Sequence, residues 1–288
     1  MFKIFRFRQL AIISFFLCGI MLMGACLNAV SPYVTAMSQP QASVPIIMYH
    51  QIHKSSKSCG DYIIPLSTLH DDFEYMKQNN ITPVSFAMLR DYVEKGTPLP
   101  QRSVVITFDD GEKSFLTKVV PLLEEFNYPA NVNVIGSLVE LYTKNGETDD
   151  SYAYLSENDI KTLNENPLVE MGCHTYNLHS LTNRRGVSQL YGEDDEKYNS
   201  IIENDIKRFN SLFTRLTGKA PTIFAYPYGI KNKNCDGIIK NNGFTVTLTC
   251  REAVNKLSPG STLFDLGRFN RPYGISTEKF FGKIFNSI

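Results

Sequence analysis

A single parallel β/α domain, closed into a barrel, is the fold class this sequence predicts, and three observations predict it. Short β-branched apolar runs alternate with helix-length amphipathic stretches from residue 44 onward. No internal repeat or second apolar system interrupts them, so one sheet takes all the strands. Polar motifs follow four of those runs: His50, Asp109-Asp110, His174 and Pro227-Tyr228-Gly229. In parallel barrels the chemistry gathers at the carboxyl ends of the strands, so these motifs are candidates for one site.

The elements follow in order. Val44 to Tyr49 is the first strand, and Pro45 suits only its start or an edge. His53 to Pro65 is a polar loop. Leu66 to Asn79 is a helix, with Leu69, Phe73 and Met76 on one face and His70 off it. Ser85 caps a second helix with Leu89, Tyr92 and Val93 inward, and Gly96 ends it. Ser103 to Ile106 is a buried strand that delivers Asp109 and Asp110, and Gly111 lets the chain turn there. Phe115 to Phe126 is a helix with Pro121 in its first turn, and Ala130 to Ile135 a strand. Leu141 to Tyr154 is a polar insertion. Ser156 and Asp159 form a capping box for a helix through Leu163. Leu168 to Cys173 is a strand ending at His174. Arg184 to Tyr198 is a charged, solvated loop. Ile201, Asp205, Phe209, Leu212 and Leu216 run along a long helix stopped by Gly218. Thr222 to Tyr226 is a strand, Asn232 to Asn242 a helix ended by Gly243, and Phe244 to Thr249 a strand. Leu263 to Phe269 is the last strand and Thr277 to Phe285 the closing helix.

The amino terminus reads as an export segment. Lys3, Arg6 and Arg8 precede an uncharged apolar run from Leu10 to Leu27, and Met23-Gly24-Ala25-Cys26 has the form of a lipid-attachment site. Residues 1–28 are thus expected to be a signal peptide or a membrane or lipid anchor. Residues 29–43 would be a linker, and 44–288 the folded domain, a monomer outside the cytoplasmic membrane. Lysine plus arginine equals aspartate plus glutamate, 29 each, so no basic field for nucleic acid exists. Cys59, Cys173, Cys235 and Cys250 are too scattered for a disulfide framework, with Cys235 and Cys250 a candidate pair.

Two adjacent carboxylates repel each other, and a metal held by one leaves the other free as a base. His174 and His179, five residues apart, do not stack on a helix but can converge from a loop. Two imidazoles and a carboxylate suit Zn2+ or a similar divalent transition metal.

Thr107-Phe108-Asp109-Asp110-Gly111 with His174-Thr175-Tyr176-Asn177-Leu178-His179 resembles the first two motifs of the family-4 carbohydrate esterases, the NodB-type polysaccharide deacetylases. Phe224-Ala225-Tyr226-Pro227-Tyr228-Gly229 resembles their third. The resemblance implies a distorted (β/α)7 barrel and metal-dependent hydrolysis of N-acetyl groups from sugars. It assigns Asp109 as general base, Asp110, His174 and His179 as metal ligands, and the Tyr228 backbone N–H as oxyanion donor. Tyr226, Pro227, Tyr176 and Asn177 would contact the sugar. Ala225 stands where the family has an arginine that orients the base, and Arg268 is the candidate replacement. The family's tryptophan motif is absent from a chain without tryptophan, and no histidine follows His179 to act as general acid. In a closed barrel the first strand lies beside the last, so His50 is the candidate acid. This arrangement is similar to that of exported poly-β-1,6-N-acetylglucosamine deacetylases. Peptidoglycan and chitin oligomers are alternative substrates, and a catalytically silent glycan-binding module is the alternative function.

Overall fold

The computed structural model describes residues 41–286. The export segment and most of the linker lie outside the described residues. Among those described, no helix is long and apolar enough to cross a membrane.

The barrel strands are β1 (Ile46–Tyr49), β2 (Ser103–Phe108), β3 (Ala130–Val134), β4 (Val169–Cys173), β5 (Ile223–Ala225), β6 (Val246–Leu248), β7 (Leu263–Leu266) and β8 (Phe269–Asn270). Between and after them run helices α1 (Leu66–Gln78), α2 (Phe86–Lys95), α3 (Val120–Phe126), α4 (Gly136–Asn145), α5 (Glu157–Asn164), α6 (Asp195–Thr217), α7 (Cys235–Asn241) and α8 (Thr277–Phe285). All strand pairs along the sheet are parallel, in the order β7-β6-β5-β4-β3-β2-β1-β8. Strands β7 and β8 are the two edges of this path, yet only Gly267 and Arg268 separate them in the chain. One bent segment, 263–270, therefore closes the ring, and counted once it makes seven strands. This is the distorted (β/α)7 barrel expected from the sequence.

Side chains alternate between two cores, as the period of a strand requires. Ile46, Val105, Ile223, Ala225, Val246, Leu248, Leu263 and Leu266 form the inner core, which Phe86, Leu89, Tyr92 and Val93 of α2 plug from below. Ile47, Tyr49, Ile106, Phe108, Val132 and Val134 point outward to the helices. Ser85 caps α2 at Met88, and the Glu170 carboxylate accepts from the backbone N–H groups of Phe86 and Ala87, where negative charge is favoured.

Several expectations are corrected. Pro45 splits the first strand: Ala42–Val44 pairs antiparallel with Asn255–Leu257, so the folded domain starts inside the expected linker. The loop after His50 contains a small parallel pair, Gln51–His53 with Ile63–Pro65. His70 is only partly exposed and packs edge-on against Phe126. Helix α4 extends through Asn145, into the stretch read as a polar insertion. Helix α6 starts at Asp195 because Asp194 caps it by accepting from Lys197 N–H, and Glu193 is locked to the nearly buried Arg184. That acidic run is therefore a built helix start. Gly267 and Arg268 interrupt the last strand. Cys235 and Cys250 are both free thiols.

Candidate active site

Val105, Thr107 and Asp109 follow one another at the two-residue period of β2, so Asp109 continues the inner face of the barrel. It is almost fully buried, and Arg268 meets it with both arms: Nη1 to Oδ1 at 2.8 Å and Nη2 to Oδ2 at 2.7 Å. Arg268 is fully buried and its Nε donates to the Thr249 carbonyl at 2.9 Å. The Asn133 amide donates to Asp109 Oδ1 at 2.8 Å. Asn133 has room because Gly172 stands opposite it on β4, where any Cβ would overlap its carboxamide. Burial alone would raise the Asp109 pKa, but the charge and hydrogen bonds of Arg268 outweigh it and hold the carboxyl well below the usual carboxylate range.

Asp110 turns the other way. Its φ of 71° and that of Gly111, 76°, place both in the left-handed region and swing the second carboxylate across the strand ends. His174 Nε2 lies 3.5 Å and His179 Nε2 3.3 Å from Asp110 Oδ1. The three candidate ligand atoms all fall within 4.8 Å of one another. Each imidazole is oriented through its other nitrogen. His174 Nδ1 donates to the Ala225 carbonyl at 2.8 Å, which leaves its Nε2 lone pair facing Asp110, and His179 Nδ1 pairs with the Tyr228 hydroxyl at 3.1 Å, which directs its Nε2 to the same carboxylate. Asp110 Oδ1 is buried and accepts no hydrogen bond from the protein. An orphaned carboxylate oxygen between two imidazole nitrogens has the donor set of a divalent cation site. Burial, with Asp109 nearby, pushes the Asp110 pKa up to about 6, and burial pulls that of His174 down to about 3. Glu112 is pushed up to about 8 by burial and by Asp110, so at neutral pH it is mostly uncharged.

The loop from His174 to His179 is shaped by a residue whose role the sequence did not reveal. Asp205 on α6 accepts from the backbone N–H groups of Tyr176 at 2.7 Å and Asn177 at 2.8 Å, which fixes the turn that returns His179. Thr175, at φ 70°, and Tyr228, at φ 59°, are the left-handed residues at two further strand ends. Such strained backbone concentrates at sites that the surrounding structure holds in place.

These side chains line a cavity of about 480 Å³ whose walls are Met48, His50, Tyr62, Asp109, Asp110, His174, His179, Leu181, Tyr228, Cys250, Glu252 and Asn270. The structure thus brings together His50, Asp109, Asp110, His174, His179 and Tyr228, with Arg268 behind Asp109. His50 packs edge-on against Tyr62, its Nδ1 is buried without a hydrogen-bond partner, and burial lowers its pKa. Four expected sugar contacts are not in this wall. Tyr226 is fully buried, its hydroxyl on Asp236, and Pro227 is buried against Gly186. Tyr176 is buried under Arg208 with its hydroxyl on Glu140, and the exposed Asn177 is held by its backbone away from the wall. Tyr62, Leu181 and Glu252 are the exposed wall residues that sequence reasoning missed. All three lie on irregular loops where no periodicity marks them.

Comparison with known proteins gives this geometry a context. A polysaccharide deacetylase family model matches residues 96–247. The poly-beta-1,6-N-acetyl-D-glucosamine N-deacetylase of Escherichia coli K12 is 32% identical over 145 residues, 49% of this chain but 22% of that protein's length. The protein of the same name from Staphylococcus aureus MSSA476 is 24% identical over 232 residues, 76% of each chain. The solved structure of IcaB from Ammonifex degensii superposes with a TM-score of 0.68 at 26% identity, covering 81% of this chain and 94% of the other.

Proposed function

The chain belongs to the polysaccharide deacetylase family and is an enzyme of that class, and on that premise we propose that it removes N-acetyl groups from an extracellular N-acetylglucosamine polymer, poly-β-1,6-N-acetylglucosamine. One observation carries the reading: a base held ionised by Arg268 shares a cavity with a carboxylate oxygen that accepts no hydrogen bond and lies between two imidazoles. The named activity of the similar E. coli and S. aureus proteins supports the polymer. Residues 1–28 as export segment or anchor fit an external substrate, and the domain acts as a monomer.

Asp110, His174 and His179 would hold the ion, Zn2+ by donor type, which when bound supplies Lewis-acid polarisation of the acetamide carbonyl and acidifies water. Asp109 takes the proton of the attacking water. So strongly paired a carboxylate is a weak base, and an acidified water is what such a base needs. The Arg268 fork and Asn133 fix its orientation. The Tyr228 backbone N–H stabilises the oxyanion. His50 protonates the departing amine with a proton it takes from solvent, because burial lowers its pKa and favours the neutral imidazole at rest.

Metal affinity should depend on pH through Asp110. Its folded pKa, about 6, exceeds the ordinary aspartate value of 3.8, so its ionisation weakens the metal-free fold as pH rises from about 4 to 6. Cation binding reverses this, because the ion needs the carboxylate. Burial holds both imidazoles below their usual pKa, His174 at about 3, which weakens their competition for protons. Zinc affinity measured by calorimetry is therefore expected to fall about tenfold between pH 7.5 and 5. A flat profile would contradict the assignment of Asp110.

The reading itself is tested by acetate release from β-1,6-linked N-acetylglucosamine oligomers, with chitin oligomers and peptidoglycan fragments alongside. Release should require metal, stop with chelator, and fall about 100-fold or more in His50→Ala. Metal binding with no release from any of the three would leave a glycan-binding module instead.

A further inference from the structure

The ladder that closes the barrel is short. Strands β1 and β8 pair at two positions, Ile47 with Phe269 and Met48 with Asn270, and the Arg271 N–H adds a bond to the Met48 carbonyl at 3.0 Å. Strands β3 and β4 pair at five positions and β1 and β2 at four, while β2–β3 and β6–β7 pair at two and β4–β5 at one, so what distinguishes the seam is what it carries. It holds two residues of the proposed chemistry: His50 follows β1, and Arg268 precedes β8. Backbone bonds alone are a weak means of setting a guanidinium to within a few tenths of an ångström.

A second buried arginine flanks the seam. Arg271 follows β8 and meets Asp72 of α1 with Nε at 2.8 Å and Nη2 at 3.0 Å, both side chains fully buried. Its Nη1 donates to the carbonyls of Pro272 and Ile275. The same Asp72 carboxylate accepts from the Tyr49 hydroxyl at 3.0 Å and from Thr277 Oγ1 at 2.6 Å. Tyr49 immediately precedes His50 and stacks on Phe108, which immediately precedes Asp109. One carboxylate on α1 thus ties down both strands of the seam, outside the cavity.

Buried ion pairs are not in general a route to stability, since a well-packed apolar replacement of both partners is often neutral or better. Their rigid, bidentate geometry fixes position instead. We infer that Asp72, through Arg271 and Tyr49, is a positioning residue of the active site: it sets the register of the closing seam so that Arg268 engages Asp109 and His50 faces the substrate. The inference rests on the deacetylase reading above. Wild-type acetate release establishes that reading first, and the variants below then test this one alone.

The variants are Tyr49→Phe, Asp72→Asn and the paired Asp72→Leu/Arg271→Met. Tyr49→Phe keeps the ring stack and loses one bond to Asp72. The paired change leaves no buried charge uncompensated, so it should be less destabilising than Asp72→Asn, although the Tyr49 and Thr277 hydroxyls lose their acceptor. In both Asp72 variants kcat should fall about 10- to 100-fold with KM unchanged, since no member of the network touches the cavity. Tyr49→Phe should show a smaller loss of the same kind. On an Arg268→Lys background the paired change should cost almost nothing further, because its effect passes through Arg268. Leu163→Ala, a core truncation in α5, serves as a control for stability. The inference is overturned if kcat is normal in the folded paired variant. It is equally overturned if the losses add fully to Arg268→Lys, or if they match those of Leu163→Ala at equal melting temperature. Should the Asp72 variants fail to fold, Tyr49→Phe decides: a kcat-only loss supports the inference and an unchanged kcat overturns it.

Discussion

Replacing Asp109 with asparagine is expected to lower kcat for acetate release roughly 1,000-fold while zinc binding survives. The amide cannot take a proton from water, whereas Asp110, His174 and His179 are untouched. The substitution also leaves the Arg268 guanidinium buried without its counter-charge, so the melting temperature should drop. Activity should therefore be measured well below the new midpoint, with bound metal counted in the same sample. Retained activity with metal bound would remove Asp109 from the role of base.

The second large effect is on stability. Arg268→Met leaves the Asp109 carboxylate buried beside Asp110, and breaking a buried pair from one side costs about 3–5 kcal/mol. For a domain of this size that is a fall of about 10 °C in melting temperature. The pH dependence has a definite sign. In the parent, the depressed pKa of Asp109 contributes stability that is full above about pH 4 and is lost only as pH falls through the lower folded value. In Arg268→Met that contribution is gone and burial raises the pKa instead. The gap between the two melting curves should accordingly narrow as pH is lowered toward 4. Arg268→Lys keeps the charge without the fork and should fall between them in stability but close to Arg268→Met in kcat.

Much of this arrangement was legible in the sequence because barrel strands deliver their chemistry at one end. Apolar runs stopping at His50, Asp109 and His174 gave both the strands and the residues at their tips. Arg268 could be named because Ala225 left a role unfilled. What stayed hidden depends on contacts rather than on pattern. Asn133 and Gly172 are complementary across a strand pair, and neither means anything alone. Asp205 looked like one polar position on a helix, while its work is done on backbone N–H groups of another loop. Tyr226 and Tyr176 went the other way: they flank the motifs in sequence, but strand alternation and the turn after His174 send their rings into the protein. Polar residues from Leu141 and across 184–198 read as loop, whereas packing carries one helix through Asn145 and the Asp194 cap starts the other at Asp195.

The bent segment at 263–270 also has a kinetic meaning. Arg268 is 159 residues from Asp109, and Arg271 is 199 from Asp72, so the contacts that complete the ring are among the most distant in the chain. Closing loops of that length is slow and is rewarded only at the end. During synthesis or refolding the two aspartates stand side by side with no guanidinium between them and the interior. The ladder from β1 to β6 can form without the seam, as an open curved sheet with β1 exposed along its edge. If the seam closes last, as its sequence separation favours, refolding should show activity returning after the helical signal, and the two returning together would contradict that order. Closure of the seam also ends the interval in which the unfinished barrel can pair with a neighbour.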